Sequence, residues 1–132
     1  MPSRQPEQPM SRYVDGFVIA VPKKKVGTYR KMARLGAKVW KEHGALEYFE
    51  CIGDDLKAQY GMMPFGKLAR LKPGETVAFS WIVYRSKKHR NSVNAKVMKD
   101  PRMNDPKWQK DMPFEMKRMA YGGFKPLVHW TR

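Results

Sequence analysis

The stretch that most constrains this chain is residues 76–85, Thr-Val-Ala-Phe-Ser-Trp-Ile-Val-Tyr-Arg, its densest run of β-branched and aromatic residues. Pro73 and Gly74 precede it and Ser86 opens a basic helical pattern after it, so it reads as a strand. Alternation places Val77, Phe79, Trp81 and Val83 on one face and Ala78, Ser80, Ile82 and Tyr84 on the other. Neither face carries the charges of a half-exposed strand, so both must be covered. The chain's own helices can cover one. In a chain of 132 residues the other calls for a second subunit, so a homodimer through sheet faces is the expectation.

The flanking elements follow from local pattern. Tyr13–Val21 reads as a first strand, closed by Pro22. Lys23–His43 reads as a helix: Val26, Tyr29, Met32, Ala33, Gly36, Val39, Trp40 and His43 share one arc. Arg30, Lys31, Arg34, Lys38 and Lys41 lie on the opposite arc, and Gly44 is placed to stop the helix. Ala45–Gly53 reads as a strand and Leu56–Gly74 as a long connection. Ser86 is placed to cap a second helix that shares His89, Val93 and Val97 on a stripe and ends at Asp100-Pro101. Asp105-Pro106 has the form of a helix start, for one turn through Lys110. Tyr121–Trp130 reads as a last strand, with Pro126 marking a sheet edge. The order predicts an α+β, ferredoxin-like domain over 12–132: a four-stranded antiparallel sheet with two helices on one face. Residues 1–11, with Pro2, Pro6 and Pro9, read as a flexible tail, with Met10 an alternative start to Met1.

Charge is the strongest compositional signal. The formal net charge is +15. Its excess sits in the two helical segments: residues 22–44 hold eight Lys or Arg against one acid, and residues 76–100 hold six against one. Such a face either is simply solvated or attracts polyanions, through Arg30, Arg34, Lys38 and Lys41. There is no apolar run long enough for a membrane span and no signal-peptide core, so a cytoplasmic, membrane-free protein is expected. Cys51 is the only cysteine, which excludes an internal disulfide and a cysteine-based zinc site; a packed mid-strand thiol is expected. His43, His89 and His129 lack metal-ligand spacing, and no phosphate-binding Gly-rich loop or nucleophile elbow is present, so no metal and no cofactor is expected.

The chemistry that remains lies in polar groups on elements that should be buried: Asp15, His43, Glu47, Tyr48, Glu50, Trp81 and Tyr121. A buried carboxylate without a partner costs several kcal/mol, so Asp15 and Glu50 must pair with a base, reach an edge or line a pocket. In the pocket reading, Tyr48 and Trp81 are aromatic walls and His43 or an acid moves a proton. In the ion-pair reading, the acids are structural.

Several longer motifs then stand out: Tyr-Val-Asp-Gly-Phe at 13–17, Val-Trp-Lys-Glu-His-Gly-Ala-Leu-Glu-Tyr at 39–48 and Phe-Ser-Trp-Ile-Val-Tyr at 79–84. Val-Asn-Ala-Lys-Val-Met follows at 93–98, Asp-Pro-Arg-Met at 100–103 and Lys-Arg-Met-Ala-Tyr-Gly-Gly-Phe at 117–124. With these the chain resembles the YbaA-like family of small bacterial proteins of unknown function, from Tyr13 to about Val128. The resemblance implies a dimeric α/β barrel, two such sheets packed face to face. The wider superfamily it resembles includes cofactor-free monooxygenases, haem-degrading proteins and small-molecule isomerases. With the pocket reading, the expectation is a small aromatic or acyl ligand between sheet and helices, with oxygenase-like or isomerase-like chemistry. The family brings no established reaction, so no catalytic residue carries over. The alternative is a non-enzymatic RNA- or polyanion-binding module. Tyr121-Gly122-Gly123-Phe124 echoes an RNA-recognition motif, but that motif belongs on the third strand, here Thr76–Arg85. Nucleic acid would then meet the basic helix face, weakly and without sequence preference.

Overall fold

Proline and cap chemistry set most element boundaries. The computed structural model describes residues 12–132; the expected tail and the choice between Met1 and Met10 lie outside the described residues. Strand β1 (Tyr13–Pro22) closes at a residue with no N–H for the ladder. A 3-10 turn over Lys23–Lys25 leads into α1 (Val26–Glu42), which therefore starts a turn later than its apolar periodicity predicts. Gly44 follows at φ +111°, a left-handed conformation that suits glycine after a helix. Strand β2 (Glu47–Ile52) comes next. The long connection contains one short helix, α2 (Phe65–Leu68), that its Gly- and Met-rich composition does not advertise. Strand β3 (Glu75–Tyr84) leads to α3 (Lys87–Lys99), where Ser86 Oγ accepts from the His89 backbone N–H at 3.0 Å. Asp105 likewise accepts from the Lys107 N–H and starts α4 (Pro106–Lys110), as the cap-then-proline pattern predicts.

Strand β4 is shorter than expected, spanning Ala120–Phe124 rather than reaching Trp130. Its partner explains this. The β1–β4 register ends at Val14↔Phe124, one residue from the start of β1, so further residues have nothing to pair with. The sheet is antiparallel throughout, in the order β2-β3-β1-β4, and β4 lies at an edge.

Register then sorts side chains by face. Tyr13↔Tyr84, Asp15↔Ile82, Phe17↔Ser80 and Ile19↔Ala78 put β1 and β3 residues on a core face, which Tyr48, Glu50 and Tyr121 join from the edge strands. One buried cluster joins Val39 of α1 and Val93 and Val97 of α3 to Tyr13, Ile82 and Tyr84. A second joins Tyr29 of α1 to Ile19, Val21 and Ala78. The opposite face is aromatic and partly open: Ala20 and Val77 at one end are buried, and Phe65 of α2 lies 5.7 Å from Phe79. Phe49 stacks on Trp81 with ring centroids 4.7 Å apart, and Phe79 lies 5.4 Å from Trp81. Phe79 is 43% exposed and Phe124 59%. Cys51, paired with Phe79 in register, is exposed, because β2 is an edge strand with no helix over that flank; the expected packed thiol is not found.

Candidate functional site

Against the core face lies a cavity of about 590 Å³. Its floor is the sheet, through Asp15, Phe17, Ile19, Ser80 and Ile82, and one wall is α1, through Tyr29, Met32, Gly36 and Trp40. Residues 103–119, which include α4, contribute much of the remaining lining. Six methionines line it: Met32, Met98, Met103, Met112, Met116 and Met119. Unbranched thioethers make an adaptable apolar surface.

Glu50 is the polar centre of one end. Tyr29 Oη donates to its Oε1 at 2.5 Å, and Tyr48 Oη donates to its Oε2 at 3.0 Å. Burial raises the Glu50 carboxyl above the usual carboxylate range, against the opposing bonds from Tyr29, Tyr48 and Ser80. Burial, reinforced by Glu50, pushes both phenols far up, so they remain donors at neutral pH. The clasp depends on close approach of α1 to β2. A Cβ at Gly36 would stand 2.6 Å from the Tyr48 hydroxyl, so glycine there leaves the phenol its place. Glu50 is nevertheless exposed along one flank, where Tyr29, Tyr48 and Glu50 also line a groove of about 390 Å³ bordered by Arg30 and Arg34. The carboxyl thus stands between an inner chamber and an outer groove.

Asp15 anchors a second polar cluster in the same cavity. It is 1% exposed and takes a 2.6 Å bond from Arg90 Nη1. Asn94 Nδ2 lies 3.4 Å from its other oxygen, and Arg90 Nη1 also donates to the Tyr121 hydroxyl at 2.6 Å. Trp40 Nε1 donates to both Tyr84 Oη and Asn94 Oδ1, each at 3.1 Å. For Asp15 the ion-pair reading of the sequence therefore holds, on a wall of the cavity.

Three of the singled-out residues lie elsewhere, and one of them, Glu47, pairs with Val83 in register and so falls on the outer face. His43 occupies the C-cap of α1, with Nε2 2.9 Å from Asp100 Oδ2, and does not line the cavity. Asp100 also takes bonds from Arg102, which reaches Glu42 at 2.9 Å, so this cluster ties the end of α1 to the end of α3. Bonds from Arg102, then His43, hold the Asp100 carboxyl well below the usual range. Trp81 falls on the aromatic outer face, since its parity along β3 is opposite to that of Ser80 and Ile82. The structure thus brings together Asp15, Tyr48, Glu50 and Tyr121, and leaves His43, Glu47 and Trp81 apart. Arg30, Arg34, Lys38 and Lys41 are all exposed along α1. Among the described residues no three His, Cys, Asp or Glu side chains gather where they could hold a metal ion, and no helix is long and apolar enough to cross a membrane.

Sequence reasoning missed Tyr29 as a partner of Glu50, and it missed Arg90, Asn94 and Trp108. Arg90 and Asn94 had a signal: they stand three residues before the buried Val93 and Val97 respectively, on the flank of the stripe that faces the sheet. Trp108 had none, because it reaches the cavity from a one-turn helix.

By fold and site, then, this is an α+β protein on a four-stranded antiparallel sheet, with an apolar, acid-bearing cavity against the core face. The chain belongs to the family described as a protein of unknown function (DUF1428), whose sequence pattern matches residues 12–116. It is 44% identical over 117 residues to the uncharacterized protein YbaA of Escherichia coli K12, covering 89% of this chain and 97% of that one. The YbaA of Shigella flexneri matches to the same extent. The resemblance drawn from the motifs is thereby shown. Among solved structures, a NIPSNAP family protein of unknown function from Agrobacterium tumefaciens C58 shares the fold, with a TM-score of 0.55, 16% identity and 89% coverage of each chain.

Proposed function

We propose that this chain binds a small apolar molecule, aromatic or acyl, in the cavity between sheet and helices, and that Glu50 exchanges a proton with it. The observation that carries this is the combination of a methionine-lined cavity of about 590 Å³ with one carboxyl clasped by two phenols. Small-ligand sites are typically apolar cavities of about 300–1,000 Å³ with a few placed polar groups. A carboxyl raised by burial is a stronger base than an exposed one and accepts a proton nearer neutral pH. Isomerase-like chemistry fits this best: the carboxylate takes a proton from one ligand atom and returns it to another, ending as it began. Oxygenase-like chemistry would add dioxygen as a co-substrate. Neither route uses His43, which is committed to Asp100.

In this reading the protomer is ferredoxin-like, with both long helices over the core face, and a second copy covers the aromatic face to form a dimeric α/β barrel. Its support is the run of exposed rings at Phe49, Phe79 and Phe124 on a sheet whose other side is already packed. Exposed apolar patches of this kind mark interaction surfaces. We place the protein in the cytoplasm on the same reading. The test is binding by planar aromatic and medium-chain acyl compounds, followed through fluorescence of Trp40 and Trp108, which line the cavity. Glu50→Gln should keep binding and abolish transfer of solvent deuterium into a turned-over ligand. Binding without any exchange in the wild type would reduce the protein to a non-enzymatic binder.

The second reading is polyanion binding on the exposed row Arg30, Arg34, Lys38 and Lys41. It predicts weak, sequence-blind RNA binding that falls steeply between low and physiological salt. Tight binding that survives about 200 mM salt and prefers one RNA would reverse the ranking.

A further inference from the structure

Two arginines on one flank of α1 have no acid of their own. Arg90, Arg102 and Arg118 hold Asp15, Asp100 and Glu75 respectively, but among the described residues no carboxylate pairs with Arg30 or Arg34. Both line the outer groove of about 390 Å³ between α1 and the edge strand β2, whereas Lys31, Lys38 and Lys41 do not. Standing four residues apart, the two are neighbours on the helix surface, and like charges at that spacing repel. An anion between them relieves that repulsion, and the guanidinium fork matches the two oxygens of a carboxylate. Ala33 and Ala37 share the same groove wall, so small side chains leave room beside the charges.

The inner cavity has the opposite character. Three carboxyl residues line it, Asp15, Glu50 and Asp105, and among the described residues no Lys, Arg or His does. An anionic group would lose its hydration there with no cation to receive it, whereas the thioether lining suits an apolar body. The two spaces meet along Tyr29, Ala33, Tyr48 and Glu50, which line both. Ala33 is the smallest of these four, so the way from groove to cavity runs over its methyl, beside the Glu50 carboxyl.

We propose that the ligand is an amphiphilic carboxylate, with its acyl or aryl body in the inner cavity and its charged end in the outer groove on Arg30 and Arg34. This rests on the binding reading above and supplies the ligand's charge and its orientation. A singly charged end is favoured over a phosphate because Glu50 stands at the same junction and repels a dianion more strongly. With the end fixed outside, the ligand atoms a few bonds inward are the ones brought past Glu50.

Three probes that share one body test it by titration calorimetry at neutral pH: 2-acetylnaphthalene, 3-(2-naphthoyl)propanoate and the matching neutral propanamide. Wild-type protein should bind the propanoate at least about fivefold more tightly than the amide, the size of an ion contact at an exposed arginine pair. Arg30→Gln combined with Arg34→Gln changes exposed side chains only. It should bring that ratio to about one and leave amide affinity within about twofold. Lys38→Gln combined with Lys41→Gln removes the same charge from the same helix outside the groove, and should keep the ratio within about twofold of wild type. Equal loss in both double variants overturns the assignment to Arg30 and Arg34. Saturating propanoate should also displace 2-acetylnaphthalene; simultaneous binding of the two overturns the shared path from groove to cavity. If the amide and 2-acetylnaphthalene bind and the propanoate binds no more tightly, the cavity reading survives and the charged end does not. If none of the three binds, both fall.

Discussion

At the scale of single residues, two carboxyls should give opposite pH signatures. Glu50 is raised by burial, so its charged form opposes folding above the folded pKa, and that cost is absent below the unfolded value of about 4.3. Glu50→Gln should therefore raise Tm at neutral pH, with the gain shrinking as pH falls through the folded pKa. Glu75 is lowered to about 2 by bonds from Arg118 and the Lys72 backbone N–H. Its contribution is present above the unfolded pKa and lost as pH falls through about 2. Arg118→Met should lower Tm at neutral pH, and the deficit should vanish toward that acid limit. Thermal melts of the three proteins across the acid range decide both; parallel curves would contradict the assignments. Arg90 is the more severe position. Removing it strands Asp15, 1% exposed, without its cation, so Arg90→Met should cost about 3–5 kcal/mol in urea unfolding. A cost below about 1 kcal/mol would mean that Asp15 finds water or another partner.

At the scale of elements, the contact of α1 with β2 rests on Gly36. Alanine there gains about 1 kcal/mol of helix propensity, but its methyl meets the Tyr48 hydroxyl. Gly36→Ala should leave overall stability within about 1 kcal/mol while moving Tyr48 off Glu50. Loss of that donor should raise the Glu50 titration midpoint, measured by carboxyl carbon NMR; an unmoved midpoint would show that Tyr48 does not control it.

The same elements show what the sequence makes legible. Ser86, Asp105-Pro106 and Gly44 mark boundaries through local chemistry, and alternation along β3 sorts Trp81 from Ile82 without a fold in hand. Asp15, Tyr48, Glu50 and Tyr121 share the core face for the same reason, by parity across paired strands. The end of β4 is not local, because it depends on where β1 stops offering partners. Nor is the cavity roof: residues 103–119 have no sustained period, and Trp108 and its methionine neighbours converge only after the chain has crossed the sheet. His43 shares the apolar arc of α1 yet sits at its last turn, where the neighbour is Asp100 rather than the cavity.

At the scale of the whole molecule, the aromatic outer face predicts the assembly. Sedimentation at micromolar concentration should give about twice the monomer mass, since a face of this kind is unstable in water alone. Phe79→Asp should give a folded monomer, because pairing would bury an uncompensated charge. A well-folded wild-type monomer would remove the barrel from the proposal while leaving the cavity untouched. The cavity itself is tested most directly by its methionines. In protein labelled with carbon-13 at the methionine methyls, saturating 2-acetylnaphthalene should shift Met32, Met98, Met103, Met112, Met116 and Met119, which line it. The exposed Met62 and Met63, outside it, should stay still. Shifts confined to Met62 and Met63, or no shifts at all, would contradict a ligand site between sheet and helices.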